Sequence, residues 1–183
     1  MKRKTAKEIL AESFMELASE KDIEKITIKD IADNCGYSTA TFYRQFKDKY
    51  DLIAWNYSSQ VEKNIGRIGS EGHTWKEAFL ESASYNLDNK NYLLNLFKHT
   101  SGRYSFEKYM TDVNVRFITE YLKKNSAEIS DDLMRVLEMY CSGTVRITID
   151  RLDGKYDADP EAMARIYDLS MPEILRNVLE IEE

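Results

Sequence analysis

The run Thr27–Leu52, TIKDIADNCGYSTATFYRQFKDKYDL, decides how this chain folds. Thr27 stands three residues before Asp30, where its hydroxyl can accept a free backbone N–H at a helix start. Ile28, Ile31 and Ala32 form the apolar stripe of that helix. It is short and ends at Asn34-Cys35-Gly36, with Gly36 at a position where a positive φ is wanted and only glycine adopts one cheaply. Ser38 or Thr39 then caps a second short helix carrying Thr41, Phe42, Tyr43 and Phe46. Asp48 caps a longer one that begins at Lys49 and includes Leu52, Ile53, Trp55, Val61 and Ile65.

Upstream, Ala6, Ile9, Leu10, Phe14 and Leu17 repeat at the spacing of one helix face, while Glu8, Glu12, Glu16 and Glu20 line another. A longer helix in front of two short ones joined by a glycine turn describes a helix-turn-helix unit. The second short helix of such a unit enters the major groove of DNA and offers small polar side chains to base edges. Here it exposes Thr39, Ala40, Thr41, Tyr43, Arg44 and Gln45, with Phe42 and Phe46 turned inward, and Lys47 and Lys49 follow where backbone phosphates lie. The same spacing also fits an ordinary solvated helix end.

Composition excludes most other classes. The 183 residues include 7 Gly and 2 Pro, against roughly 13 and 9 in an average chain of this length. Sandwiches and barrels need more turn-formers than this. A chain that is 43% hydrophobic and 11% aromatic can bury a core, which argues against disorder. No run approaches the length of a membrane span, the richest being Tyr92–Phe97. Met1-Lys2-Arg3-Lys4-Thr5 leads into an amphipathic pattern rather than the apolar stretch of a signal peptide, so the cytoplasm is the expected location. Cys35 and Cys141 read as reduced thiols in apolar helical settings.

The net charge of −6 argues against a nucleic-acid partner until it is divided. Residues 1–50 hold 10 Lys/Arg and 9 Asp/Glu, a net of +1, and residues 51–183 hold 16 and 23, a net of −7. The acid belongs to the C-terminal body, and the first fifty residues stay available for DNA.

The remaining punctuation places further helices near 74–88, 90–101, 104–125, 130–152 and 160–180, with Pro172 kinking or breaking the last. Gly66, Gly69 and Gly72 form the densest glycine cluster and close the fourth helix. The expectation is an all-α protein of about nine helices. A helix-turn-helix domain at 1–48 precedes a helical bundle at 49–183 that dimerises and binds an effector.

The Thr27–Leu52 run resembles the DNA-binding signature of the TetR family, loosely T-x-x-x-I-A-x-x-x-G-V-S-x-x-T-x-Y-x-H-F-x-x-K-x-x-L, and the likeness extends over roughly residues 6–52. It implies an all-helical, homodimeric bacterial transcription regulator. It also implies phosphate contacts from Thr27, Tyr43 and Lys49, with Thr39, Ala40, Thr41 and Arg44 nearest the bases. Three positions depart from the pattern: Tyr37 replaces a small aliphatic residue, Ala40 a common Gly and Gln45 a common His. With Ser38 and Lys47, these residues make up the expected DNA contacts. Farther on, Gly143, the stretch Asp159–Ala164 and Met171-Pro172-Glu173 are similar to a TetR subgroup associated with dihydroxyacetone kinase operons.

Two features of the body bear on regulation. The 130–152 segment carries one stripe of Leu133, Leu137, Tyr140, Cys141 and Thr144 and another of Val136, Met139, Gly143 and Ile147. A helix apolar on two sides is buried on two sides. The expected twofold interface therefore draws on Leu133, Val136, Leu137, Tyr140, Ile147, Ile166, Ile174, Leu175 and Val178, the other reading being one large monomeric core. Aromatic residues crowd the middle of the chain, and Trp75, Phe79, Tyr92, Phe97, His99, Arg103, Tyr109, Phe117 and Tyr121 either line an effector pocket or pack as core. The expected partners are double-stranded DNA, a second copy, and a small-molecule effector or co-regulator protein, with no membrane.

No metal or cofactor is expected, because His73 and His99 lack neighbours at ligand spacing. An enzyme is not expected, since the chain shows no nucleophile elbow, phosphate-cradling glycine loop or metal signature. The alternative function is a helical interaction module whose DNA-binding head is vestigial.

Overall fold

The computed structural model describes residues 3–70, 72–100, 105–125 and 127–179, and the described residues are all-helical. Its helices are α1 (Ala6–Glu20), α2 (Ile28–Asn34), α3 (Thr39–Gln45), α4 (Lys49–Ile65), α5 (Trp75–Asp88), α6 (Lys90–Lys98), α7 (Phe106–Lys124), α8 (Asp131–Leu152), α9 (Pro160–Leu169) and α10 (Glu173–Val178). A single 3-10 turn, Ile23–Lys25, links α1 to α2. No described helix is long and apolar enough to cross a membrane.

Three helix starts carry the caps that the sequence announces. Thr27 accepts from the Asp30 N–H, Ser38 from that of Thr41, and Asp48 from those of Tyr50 and Asp51. The expected 160–180 helix is two helices. Pro172 lacks the N–H a continuing helix needs and instead becomes the N-cap of α10. Near the middle, α5 and α6 are separated only by Asn89, which caps both.

Three starts are full capping boxes, at Thr5, Thr27 and Thr74, and the first two have a pH consequence. The Glu8 carboxylate accepts from the Thr5 N–H and hydroxyl, and that of Asp30 accepts from the Thr27 N–H at 2.9 Å. Those donors hold both acids well below their ordinary range, each at about 2, with Lys63 helping at Glu8 and Lys21 at Asp30. A carboxylate with a depressed pKa stabilises the fold while it is ionised. The contribution is therefore complete above the ordinary carboxylate range and is lost as pH falls toward about 2. An acid titration followed by far-UV circular dichroism is expected to show helix loss in that window. Asp30→Asn is expected to remove part of the pH dependence.

Packing organises the helices into a head and a body with a shared core. In the head, α1 packs on α2 and α3, and Leu10, Phe14, Ile31, Phe42 and Phe46 are fully or almost fully buried between them. The same apolar cluster continues through Leu52, Tyr57, Tyr92, Leu96, Phe106 and Val145, so it crosses the α4 cap at Asp48 without a break. In the body, α5 lies along α9, α7 along α8, and α4 along α7, while α6 lies along α1. A second cluster gathers Trp75, Leu122, Leu133, Leu137, Cys141, Met171 and Leu175. Both cysteines are free thiols, and burial pushes that of Cys141 up to about 12.

Candidate nucleic-acid interface

Everything that orients α3 is buried beneath it. The turn before it is a Schellman closure: the Gly36 N–H donates to Asp33 O at 3.2 Å and the Tyr37 N–H to Ala32 O at 2.8 Å. Gly36 has φ 72°, a left-handed conformation that side chains resist, so glycine is required at this bend. The Ser13 hydroxyl donates to Ile31 O at 2.7 Å, and the Asn34 amide donates to Ser13 Oγ and to Glu16, which stitches α2 to α1. Below α3, Phe42 packs on Phe46 with ring centroids 5.7 Å apart and tilted by 51°, and Phe46 meets Trp55 of α4 at 5.6 Å.

The opposite face of α3 is open. Ser38, Thr39, Ala40, Tyr43, Arg44 and Lys47 are exposed, and Thr41 and Gln45 are half-buried. The Tyr43 ring leans edge-on against Phe42 yet remains 60% exposed, so its hydroxyl projects from a fixed base. Elsewhere in the head, Lys4, Lys21, Lys25 and Lys29 are paired with Glu12, Asp22, Asp30 or Asp33. Arg44 and Lys47, like Arg3 and Lys7, have no ion-pair partner among the described residues, so the α3 side carries free positive charge. Tyr37 is half-buried and packs on the core at the turn.

The aromatic residues of the middle do not form one pocket. Trp75 and Phe79 line a cavity of about 100 Å³ between α4, α5, α7 and α8. Tyr121 stands behind it, edge-on to Trp75 at 5.3 Å. Tyr92 and Phe97 belong to the core shared with the head, and Tyr92 packs on Phe14. Tyr109 donates to Ala54 O at 2.8 Å, and Phe117 lies under the Arg116 guanidinium. His99 faces the carboxylates of Asp22 and Glu24 at 3.5 and 3.7 Å. Arg103 lies outside the described residues.

The sequence is matched by two family models. One, described as bacterial regulatory proteins of the tetR family, covers residues 10–54, and the other, a transcriptional regulator C-terminal region, covers residues 73–171. The chain belongs to the TetR family. No curated protein matches it. Among solved structures it is similar to the dihydroxyacetone kinase operon activator DhaS, at 16% identity and a TM-score of 0.67, over 97% of this chain and 98% of that one. A TetR transcriptional regulator from Rhodococcus sp. RHA1 aligns at 18% identity and a TM-score of 0.58, covering 94% and 93%. The Thermus thermophilus FadR repressor, solved with lauroyl-CoA, aligns at 15% and 0.58, covering 97% and 96%. At these identities the likeness is one of fold.

This TetR-family chain is thus a DNA-binding transcriptional regulator. The open polar face of α3 does not favour reading the head as vestigial. One residue of the signature has an additional task. The Lys49 ammonium donates to Ile23 O at 2.6 Å, to Ile26 O at 3.0 Å and to Glu24 O at 3.4 Å, which occupies its three N–H groups. Partial burial lowers its pKa. In this arrangement Lys49 pins the 3-10 turn that leads into the Thr27 cap.

A salt titration separates Lys49 from Lys47. A lysine at a phosphate releases a counterion, so its loss lowers the slope of log affinity against log salt by about 1. Lys47→Ala is expected to lower the slope in that way. Lys49→Met is expected to weaken operator binding about tenfold through a loosened head while leaving the slope unchanged. A slope lowered equally by both variants would return Lys49 to the phosphate backbone.

Two further groups carry no signal in sequence periodicity. Asn95 of α6 reaches into the head: its Oδ1 accepts from the Ile23 N–H at 3.2 Å, and its Nδ2 donates to Ala18 O at 2.7 Å and Lys21 O at 2.9 Å. Asn86 of α5 is 5% exposed at the cavity wall. An asparagine inside a helical pattern reads as a solvated position until the tertiary neighbours are known.

Proposed function

We propose that this regulator binds a pseudo-palindromic operator as a homodimer and that a small molecule in the α4–α5–α7–α8 cavity shifts its affinity. The observation that carries the dimer is an open apolar face. Met139 is 75% exposed on α8, Leu169 82% on α9 and Ile174 44% on α10. A Cβ built on Gly143 of α8 has nothing within 4 Å, so another helix can approach closely there.

Four of the residues expected at the interface already have partners. Leu133, Leu137, Tyr140 and Leu175 are buried within the protomer, because their stripe faces α5, α7 and α10. The more open stripe is the other one: Met139 and Gly143 are exposed, and Val136 and Ile147 are half-buried against the protomer's own apolar clusters. Ile166 and Val178, also half-buried, flank it on α9 and α10. To meet successive major grooves, a twofold axis through this face must hold two α3 helices about 34–36 Å apart.

Selection from random duplexes tests the reading. The expected product is an inverted repeat with two half-sites, bound by two chains, and with steep salt dependence. A single half-site bound by one chain would overturn the dimer. Met139→Glu together with Leu169→Glu is expected to give monomers in sedimentation and to weaken operator binding on the order of 100-fold, since the second half-site contact ceases to be intramolecular.

The likeness to DhaS along the whole chain, together with Asp159–Ala164 and Met171-Pro172-Glu173, supports a place near the regulators of dihydroxyacetone kinase operons. A kinase gene of that kind beside the gene for this chain would support that placement.

A further inference from the structure

The chemistry of the cavity wall defines what it can hold. Among the described residues, no Asp, Glu, Lys, Arg or His lines the cavity. Its titratable groups are the phenols of Tyr57, Tyr140 and Tyr167 and the thiol of Cys141, and burial raises the pKa of all four, which keeps them uncharged at neutral pH. An ion entering this space would lose its water and meet no counter-charge, a cost of several kcal/mol.

Most polar groups on the wall are already occupied. The Tyr140 hydroxyl donates to Tyr167 O at 2.7 Å, and the hydroxyls of Thr148 and Tyr167 share a bond of 2.6 Å. Two carboxamides are not saturated. Asn114 accepts from the Tyr57 hydroxyl through Oδ1 at 3.0 Å, and its Nδ2 has no partner among the described residues. Asn86 lies on the wall, 5% exposed, with donor and acceptor capacity of its own.

The cavity measures about 100 Å³. A cavity of roughly 150 Å³ is one that takes up benzene, so the part of an occupant held inside has no more than about six heavy atoms. Tyr57, Val61, Asn64, Ser82 and Asn86 also line a groove between α4 and α5 that opens to solvent, which provides an entry path. Arg67 and Glu81 form an ion pair across that groove, so the charged groups stand at the entrance and not inside.

We propose that the cavity binds a small uncharged molecule, an amide, ketone or alcohol, whose oxygen is held by Asn86 and Asn114. This rests on the cavity being the effector site. The charge-free wall rejects carboxylates and ammonium ions of the same size, and the two amides select for a hydrogen-bonding oxygen over a plain hydrocarbon.

Three probes of equal size test it on the full chain: propionamide, 2-butanone and propionate. They are titrated by saturation-transfer NMR with no DNA present, so the outcome is independent of operator binding. Saturable transfer from propionamide and 2-butanone is expected, with propionate at least about 30-fold weaker. Asn114→Leu and Asn86→Leu are each expected to weaken propionamide three- to tenfold. Propionate binding as well as propionamide, or no saturation by either neutral probe up to about 50 mM, overturns the proposal. The probe comparison needs only the natural chain, so it decides even if a variant fails to fold.

Discussion

Replacing Phe42 with Ala is expected to destabilise the head by about 3–5 kcal/mol and to abolish operator binding at any practical concentration. Phe42 is 0% exposed and is the one residue of α3 that is fully buried. Its ring contacts Tyr43 and Phe46, and through Phe46 it is tied to Trp55. A helix of seven residues has little stability of its own, so α3 exists because this ring is held. Removing it leaves a cavity at the centre of the head that neighbouring rings cannot fill without leaving their own positions. Denaturant unfolding together with operator titration gives the result. A loss below about 1 kcal/mol with operator binding intact would show that α3 is held by something other than its buried ring.

The second large effect is expected at Asn95. Asn95→Leu preserves volume but deletes three hydrogen bonds to the head, leaving the Ile23 N–H and the carbonyls of Ala18 and Lys21 without their partner. The site is only partly buried, so a loss of about 2–3 kcal/mol is expected. The functional consequence follows from connectivity. The cavity wall includes Trp75, Phe79 and Asn86 of α5, and α5 passes into α6 through Asn89 alone. Asn95 hydrogen-bonds α6 to the end of α1 and to the 3-10 turn, beside the packing of Tyr92 on Phe14 and the approach of His99 to Asp22 and Glu24. A ligand that moves α5 thereby acts on the turn leading into Thr27, provided it binds one position of α5 better than another. In Asn95→Leu the operator affinity is expected to become insensitive to the effector, while the cavity still binds it. Measuring both affinities in one titration set separates the two effects. Undiminished coupling would rule out this route.

The head was legible because its determinants are local. The caps at Thr27, Ser38 and Asp48 and the turn at Gly36 each act within four residues, and the inward pair Phe42 and Phe46 is set by helix periodicity. The break at Pro172 was equally plain, since a missing N–H is a local fact. Aromatic content in the middle was visible, but its distribution was not. Trp75 and Phe79 share the cavity while Tyr92 and Phe97 serve the core below the head, and helical spacing looks the same for both uses.

The sequence by itself determined an all-α chain with a reading head at its start, because capping, turn conformation and amphipathic period are properties of neighbouring residues. Tertiary structure alone decided which stripe of α8 is the more open, since both are apolar and only the packing of α5, α7 and α10 distinguishes them. It alone turned Lys49 toward three carbonyls, brought Asn95 against the head and left Asn86 and Asn114 facing a charge-free space. The Lys49 and Asn95 assignments depend on partners 23 to 77 residues away in sequence, as with Lys49 and Ile26 or Asn95 and Ala18, and no local pattern encodes such a distance.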